Sequence, residues 1–337
     1  MCTLRSIEYL GKTRHRLVAM ALLCLILMSH AKNHLKEYLS FPDKKSIHLK
    51  DQIRYLKKNT LKLDGDIQPR IIGGTPVPEG RYPYIAALFQ RDPKNGAMVQ
   101  VCGGSLISPS VVLTAAHCSD SIDLAIIGLL DLTKFEGVNY EYHEISADQK
   151  VMHPSYDPRT QDGDFLLVFL NNSSQATPVM LNSISSVPTD GQQLTVIGWG
   201  VDQTGSPTNL AEETVVRAVP NSECNVRYFF DASSVTKTQL CASGGSTHDS
   251  CQGDSGGPLI VKGDNADTDL LLGLVSWGSD CADLFYPGVY ARVSSTANWI
   301  HAKVPDAKFN QNVSDVPPNG EINCSSECWD LIFFCWC

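Results

Sequence analysis

Ten consecutive residues, Asp249-Ser-Cys-Gln-Gly-Asp-Ser-Gly-Gly-Pro258, constrain this chain more than any other stretch of it. Ser255 stands among glycines, which carry no Cβ and let a second backbone come close. In that setting the amides of Gly253 and Ser255 can converge on one point, where the oxyanion of an acyl transfer would form. A serine hydroxyl is a weak nucleophile alone, so the run demands a base and a group that orients the base. The same letters fit a G-x-S-x-G elbow, but that motif needs a following helix. Here Gly-Gly-Pro leads into Leu259-Ile-Val, which reads as a strand.

Both partners lie upstream. Val111-Val-Leu-Thr-Ala-Ala-His117-Cys118 is an apolar run that delivers a histidine, and Gly163-Asp164-Phe-Leu-Leu-Val-Phe-Leu170 sets an acid at the mouth of another. Asp162 is two residues earlier, yet the apolar run begins directly after Asp164, which favours Asp164 as the buried acid. Alone, His117 reads as a core histidine and Asp164 as a strand-end acid. In the order His117, Asp164, Ser255 they match the triad order of chymotrypsin-type enzymes rather than that of subtilisin or the α/β-hydrolases. With these motifs the chain resembles the trypsin-like branch of the chymotrypsin-type serine peptidases, over residues 71–304.

The resemblance implies an all-β fold: two six-stranded antiparallel β-barrels and a C-terminal helix, with the triad in the cleft between barrels. It implies a serine-type endopeptidase in which Ser255 attacks, His117 moves the proton and Asp164 holds the imidazole tautomer. No metal or organic cofactor is needed. Asp249 matches the floor of the specificity pocket, where a buried negative charge selects Arg or Lys at the cleaved bond. Ser250 adds a hydroxyl beside it, and Gly278 and Gly288 match the open walls. Ser276-Trp277-Gly278 would pair with substrate backbone by strand addition, with Ser276 also supporting Asp164. Ile197-Gly-Trp-Gly200 and Pro287-Gly-Val-Tyr290 are family landmarks read as structural, and Asn298-Trp-Ile300 marks a closing helix. The family pattern also implies the pairs Cys102–Cys118, Cys224–Cys241 and Cys251–Cys281. The implied partners are protein or peptide substrates and protein inhibitors.

Activation follows the same resemblance. Gln68-Pro-Arg70 precedes Ile71-Ile-Gly-Gly74, and a cut after Arg70 would free the Ile71 amine to pair with Asp254. A carboxylate inside low-dielectric protein is costly without a counter-charge, so that pairing would set the Gly253 amide in place. Arg70 fits the expected specificity, so the resemblance is compatible with self-activation.

Charge divides the chain. Residues 1–70 carry 14 Lys/Arg against 6 Asp/Glu, and residues 71–337 carry 13 against 30. So acidic a body lacks the phosphate-neutralising patch that nucleic-acid binding requires. Arg14-His-Arg16, the apolar run Leu17 to Met28 and Ser29-His-Ala31 read as a secretory signal over residues 1–31, followed by a lysine-rich propeptide over 32–70. Twelve apolar residues are too few to span a bilayer, so no transmembrane span is expected in the mature form. Removing Cys2 and Cys24 with the signal leaves ten of 12 cysteines, an even number that suits a secreted, extracellular protein. Asn171, Asn172, Asn312 and Asn323 head glycosylation sequons.

Three departures from the family pattern stand out. Phe165-Leu-Leu167 replaces the usual isoleucine-alanine-leucine, which adds volume beside the triad and costs ~1–3 kcal/mol unless neighbours shrink. The calcium-binding glutamates of some trypsins are matched by Leu129 and Asn139, and Asp264, Asp267 and Asp269 read as a solvated acidic loop. Residues 305–337 read as a linker followed by a tail with four cysteines and no family counterpart. The competing reading is a catalytically impaired protease-like protein that binds or inhibits.

Overall fold

The computed structural model describes residues 74–134, 140–200, 208–228, 234–245, 253–279, 285–311 and 313. The chain enters through β1 (Thr75–Pro76) and builds a first sheet from seven strands. These are β2 (Ile85–Arg91), β3 (Met98–Ser108), β4 (Val111–Thr114), β5 (Leu124–Ile127), β6 (Glu141–Glu144), β7 (Lys150–Met152) and β8 (Leu166–Phe169). They lie in the order β6-β5-β2-β3-β4-β8-β7, every pair antiparallel. Among the described residues no ladder joins β6 to β7, so this half is a half-barrel, in keeping with the two-barrel fold expected. Its central strands bury both faces, which is why Ile85-Ala-Ala-Leu-Phe89 and Val111-Val-Leu-Thr114 read as unbroken apolar runs.

The second half closes. β9 (Met180–Leu181), β10 (Gln193–Gly198), β11 (Glu212–Val219), β12 (Gln239–Ser243), β13 (Pro258–Val261), β14 (Leu270–Trp277) and β15 (Gly288–Arg292) follow. The order β11-β10-β13-β14-β15-β12 returns through a β11–β12 ladder, giving a six-stranded antiparallel barrel. Closure removes the sheet edge. β1 adds beside β11, and β9 adds parallel to β14. β11 alternates buried and outward residues at period two, the pattern of a strand with one face inward. Leu194, Val196, Val216, Leu240, Leu259, Leu272 and Tyr290 fill the barrel interior. A second core of Ile197, Trp199, Leu274 and Ile300 continues into the first sheet. Each fully buried aliphatic side chain here stabilises the fold by about 1.5–3 kcal/mol.

Helix α1 (Asn221–Tyr228) is tied to β12 by Cys224–Cys241, and Cys102–Cys118 ties β3 to the short 3-10 helix Ala116–Ser121. Both are pairings that the family resemblance implies. Closing loops of 16 and 17 residues restricts the unfolded chain, worth about 3 kcal/mol each on the entropic account. Helix α2 (Ala297–Lys303) closes the domain as expected. Among the described residues no helix is long and apolar enough to cross a membrane.

Two local readings need correction. Residues 305–311 are docked rather than linker-like: Leu181 N donates to Lys308 O, Asn310 N to Leu181 O, and Ser183 N to the Asn310 side chain. The acidic loop is not wholly solvated either. Asp269 is fully buried and accepts from Arg81 at 2.6 and 2.8 Å, from the Tyr84 hydroxyl at 2.7 Å and from Gly263 N at 2.8 Å. A guanidinium that meets a carboxylate through two parallel bonds offsets much of the cost of burying both.

Candidate active site

His117 leaves the end of β4 on the short 3-10 helix, so its position is set by a strand buried on both faces and by the adjacent Cys118 bridge. Asp164 sits at the entry to β8, which pairs with β4 from Thr114–Leu166 to Val111–Phe169. That ladder carries both residues to the same end of the sheet. Leu166, the bulkier residue beside the acid, is buried between Thr114 and Met152, so the core has absorbed it.

The Asp164 carboxylate is fully buried and receives three donors. One oxygen accepts the His117 backbone N–H at 2.9 Å. The other faces His117 Nδ1 at 2.8 Å and accepts the Ser276 hydroxyl at 2.6 Å. A buried acid left without donors would cost several kcal/mol, so this set both retains Asp164 and fixes the imidazole. Facing a carboxylate, Nδ1 carries the ring proton and Nε2 keeps its lone pair. The His117 side chain is 23% exposed, so the ring keeps contact with solvent.

Ser276 reaches Asp164 because β14 is irregular there. Val275 pairs with Tyr290 and Trp277 with Val289, which leaves Ser276 as the extra residue of a bulge. A bulge re-aims a side chain that regular pleating would send elsewhere. Asp162 is directed away from this set, toward the Thr236 and Thr238 hydroxyls.

The turn that bears Ser255 is pinned to both halves of the molecule. Gly103 N donates to Ser255 O at 2.7 Å from the first sheet, and Gly256 N donates to Val275 O at 2.8 Å in the barrel. Cys118 Sγ lies 3.9 Å from the same Ser255 carbonyl oxygen. Gly256 has φ +74°, and a Cβ there would lie 2.1 Å from Thr114 Oγ1, so only glycine lets the turn approach the chain leading to His117. His117, Asp164 and Ser276 thus form one hydrogen-bonded set, while Ser255 is placed through its backbone carbonyl and carries no hydrogen bond from its hydroxyl to that set among the described residues. Among the described residues neither the Gly253 nor the Ser255 amide donates to a backbone carbonyl, which is what an oxyanion cradle requires of its donors. Gln100 Nε2 donates to Gly253 O at 3.0 Å and steadies that peptide.

Asp254 is also fully buried, with one oxygen accepting from Gly200 N at 2.8 Å. Cβ atoms at Gly198 and Gly200 would lie 2.0 and 2.3 Å from its oxygens. The Gly-Trp-Gly landmark is therefore a slot for this carboxylate. Gly278 and Gly288 face each other, a Cβ on the first lying 4.0 Å from Cα of the second. Trp277 lies edge-on to Tyr228 with centroids 5.0 Å apart, and the Tyr228 hydroxyl donates to Pro287 O. Arg70, Ile71, Asp249, Ser250, Cys251 and Cys281 lie outside the described residues.

Sequence motifs alone did not reveal Gln100, Thr114 or the glycine slot. The first two sit in strand-like runs with no catalytic signature, and a Gly-x-Gly gives no hint of the side chain it accommodates. No group of potential metal ligands appears among the described residues except Cys102, His117 and Cys118, whose two sulfurs are already joined.

Comparison with known proteins bears on the family and agrees with the fold. A family model described as "Trypsin" matches residues 71–300. "Trypsin 5G1" of Aedes aegypti is 37% identical over 253 residues, 72% of this chain and 86% of the relative. "Melanization protease 1" of Drosophila melanogaster is 33% identical across 70% of this chain and 66% of its own length. "Venom peptide isomerase heavy chain" of Agelenopsis aperta is 33% identical across 68% of this chain and 98% of its own.

Proposed function

This chain belongs to the trypsin family, and from that premise we propose a secreted serine endopeptidase that is made as a zymogen, is cut after Arg70 and hydrolyses bonds after arginine or lysine. The observation that carries the reading is the buried Asp164 with His117 Nδ1 at 2.8 Å and Ser276 behind it. An imidazole held in that tautomer leaves Nε2 to take a proton from Ser255 Oγ as the hydroxyl attacks the peptide carbonyl. The Gly253 and Ser255 amides stabilise the oxyanion. His117 then gives its proton to the leaving amine, and water activated by the same nitrogen releases the acyl group.

Specificity is assigned to Asp249 with Ser250, which match the family's pocket floor, and to Gly278 and Gly288, which match its open walls. A substrate lacking a cation would leave that carboxylate unpaired. Trp277, held on Tyr228, flanks the entrance. Activation rests on Asp254, whose glycine-lined slot leaves room for a carboxylate and suits a counter-charge from the Ile71 amine. Secretion is supported by the leader-like residues 1–31 and by two disulfides, which persist in oxidising compartments.

The test is to express residues 32–337, cut after Arg70 and assay arginyl, lysyl and phenylalanyl amides. Turnover of the first two but not the third is expected, and Ser255→Ala lowers kcat by roughly a millionfold with folding intact. A folded, cut protein that turns over none of them identifies a catalytically impaired scaffold. Epimerised peptide without cleavage would instead align it with the isomerase named among its relatives.

A further inference from the structure

The loop that presents Asp164 is strained and is held from the other half of the molecule. Gln161 has φ 56° and Gly163 φ 65°, two left-handed residues within three. For a residue with a Cβ this conformation costs about 1–2 kcal/mol, so it persists only where its surroundings over-determine it. Local bonds supply part of the restraint: Asp157 N donates to Asp162 O at 3.0 Å, and Gln161 Nε2 to Pro158 O at 3.1 Å. The rest crosses from the closed barrel. Gln239, fully buried at the start of β12, donates from Nε2 to Thr160 O and to Gln161 O, each at 3.1 Å. The carbonyls on either side of the strained N–Cα bond are thereby fixed. Asp162 Oδ1 accepts the Thr236 hydroxyl at 2.6 Å and also the Thr238 hydroxyl. Those two hydroxyls lie 2.9 Å apart, and Thr236 N donates to Gln239 Oε1 at 3.0 Å, so the receiving side is itself a closed network.

We infer that Asp162, received by Thr236 and Thr238 and backed by Gln239, is a positioning residue: a latch through which the barrel sets Asp164 against His117. The inference rests on the proposed role of Asp164 as the acid that orients the base. Asp162 touches neither substrate nor reacting atoms and acts only through the loop two residues ahead of Asp164. The same β12 carries the register to Gly288 in β15, so acid and pocket wall are referred to one strand.

The test uses the full chain after cleavage at Arg70, with Asp162→Ala, Asp162→Asn and the double variant Thr236→Val/Thr238→Val. Kinetics on an arginyl amide are paired with the proton resonance of His117 Nδ1, which reports the bond to Asp164 without any turnover. Asp162→Ala and the double variant should lower kcat by about 100-fold, the scale of an ångström-level misplacement. KM should stay within about twofold, because ground-state binding is untouched. The Nδ1 resonance should shift or broaden in both. Asp162→Asn, whose amide oxygen still accepts two hydroxyls, should recover most of the loss. A folded Asp162→Ala enzyme with parental kcat and an unchanged Nδ1 resonance overturns the latch. If Asp162→Ala does not fold, the near-isosteric double variant decides by the same two readouts. A parent protein without turnover would defeat the proposed function, while the resonance would still decide the latch.

Discussion

Two aspartates in this molecule, Asp164 and Asp269, are equally buried and receive three and four donors, yet their partners differ in kind. Asp269 meets Arg81 through two bonds, and with the Tyr84 hydroxyl and Gly263 N it joins the segment before β2 to the loop before β14. The carboxylate pushes the Arg81 guanidinium pKa further up, and burial does the same to the Tyr84 phenol. Nothing in that set gives up a proton near neutral pH. Asp164 meets an imidazole instead, on a side chain that keeps contact with solvent. Burial of an acid therefore does not mark a reacting site; the protonic freedom of its partner does. The Asp269 set ties distant segments together, and in the function proposed above the Asp164 set holds a base ready.

Substitution separates the two sets, and the largest difference concerns rate. Asp164→Asn should keep the fold but lower kcat by about four orders of magnitude, because the amide favours the wrong imidazole tautomer. Measured kcat within tenfold of the parent would remove Asp164 from the mechanism. Asp269→Asn should do the reverse. It weakens the hold on a partly buried guanidinium and should cost about 1.5–3 kcal/mol of stability by denaturant titration, with kcat per folded molecule unchanged. Loss of rate without loss of stability would mean that the two aspartates are not distinct in kind.

Smaller effects sharpen the contrast. Ser276→Ala removes one of three donors to Asp164 and should cost about 1.5–3 kcal/mol of transition-state stabilisation, roughly 10- to 150-fold in kcat. A change under twofold would reduce the bulge in β14 to a packing feature. The smallest expected effect is a pH dependence of stability beside Asp164. His153 stacks on Phe165 and Trp299, its Nδ1 accepts from Ser155 N, and burial pushes its pKa down. A histidine depressed by folding contributes stability that is full above its unfolded pKa of about 6.5 and is lost as pH falls below that value. His153→Phe should therefore lose less stability than the parent between about pH 7.5 and 5. Parallel slopes for the two proteins would contradict this.

What could be read from the chain alone divides along the same line. His117, Asp164 and Ser255 announce themselves because each sits in a short run whose local pattern carries the signal. So do the paired cysteines at 102, 118, 224 and 241. Asp269 looked solvated because its neighbours in sequence are acidic; only Arg81, 188 residues away, explains its burial. The latch around Asp162 was equally illegible, since Thr236, Thr238 and Gln239 lie more than 70 residues downstream. Residues 305–311 carry local cues of a linker, and their docking depends on Leu181 in β9 and Ser183 just after it, both distant in sequence. Closure of the second sheet into a barrel is a property of its ladder ends, which no single strand's pattern specifies.

The account stands or falls on whether Ser255 is made nucleophilic by its surroundings. Treating the cut, folded chain with a fluorophosphonate and mapping the adduct by mass spectrometry asks this directly. We predict a single phosphonyl adduct on Ser255, formed fast in the parent and lost in His117→Ala. An unlabelled Ser255 in folded, cut protein, or labelling that ignores His117, would contradict it.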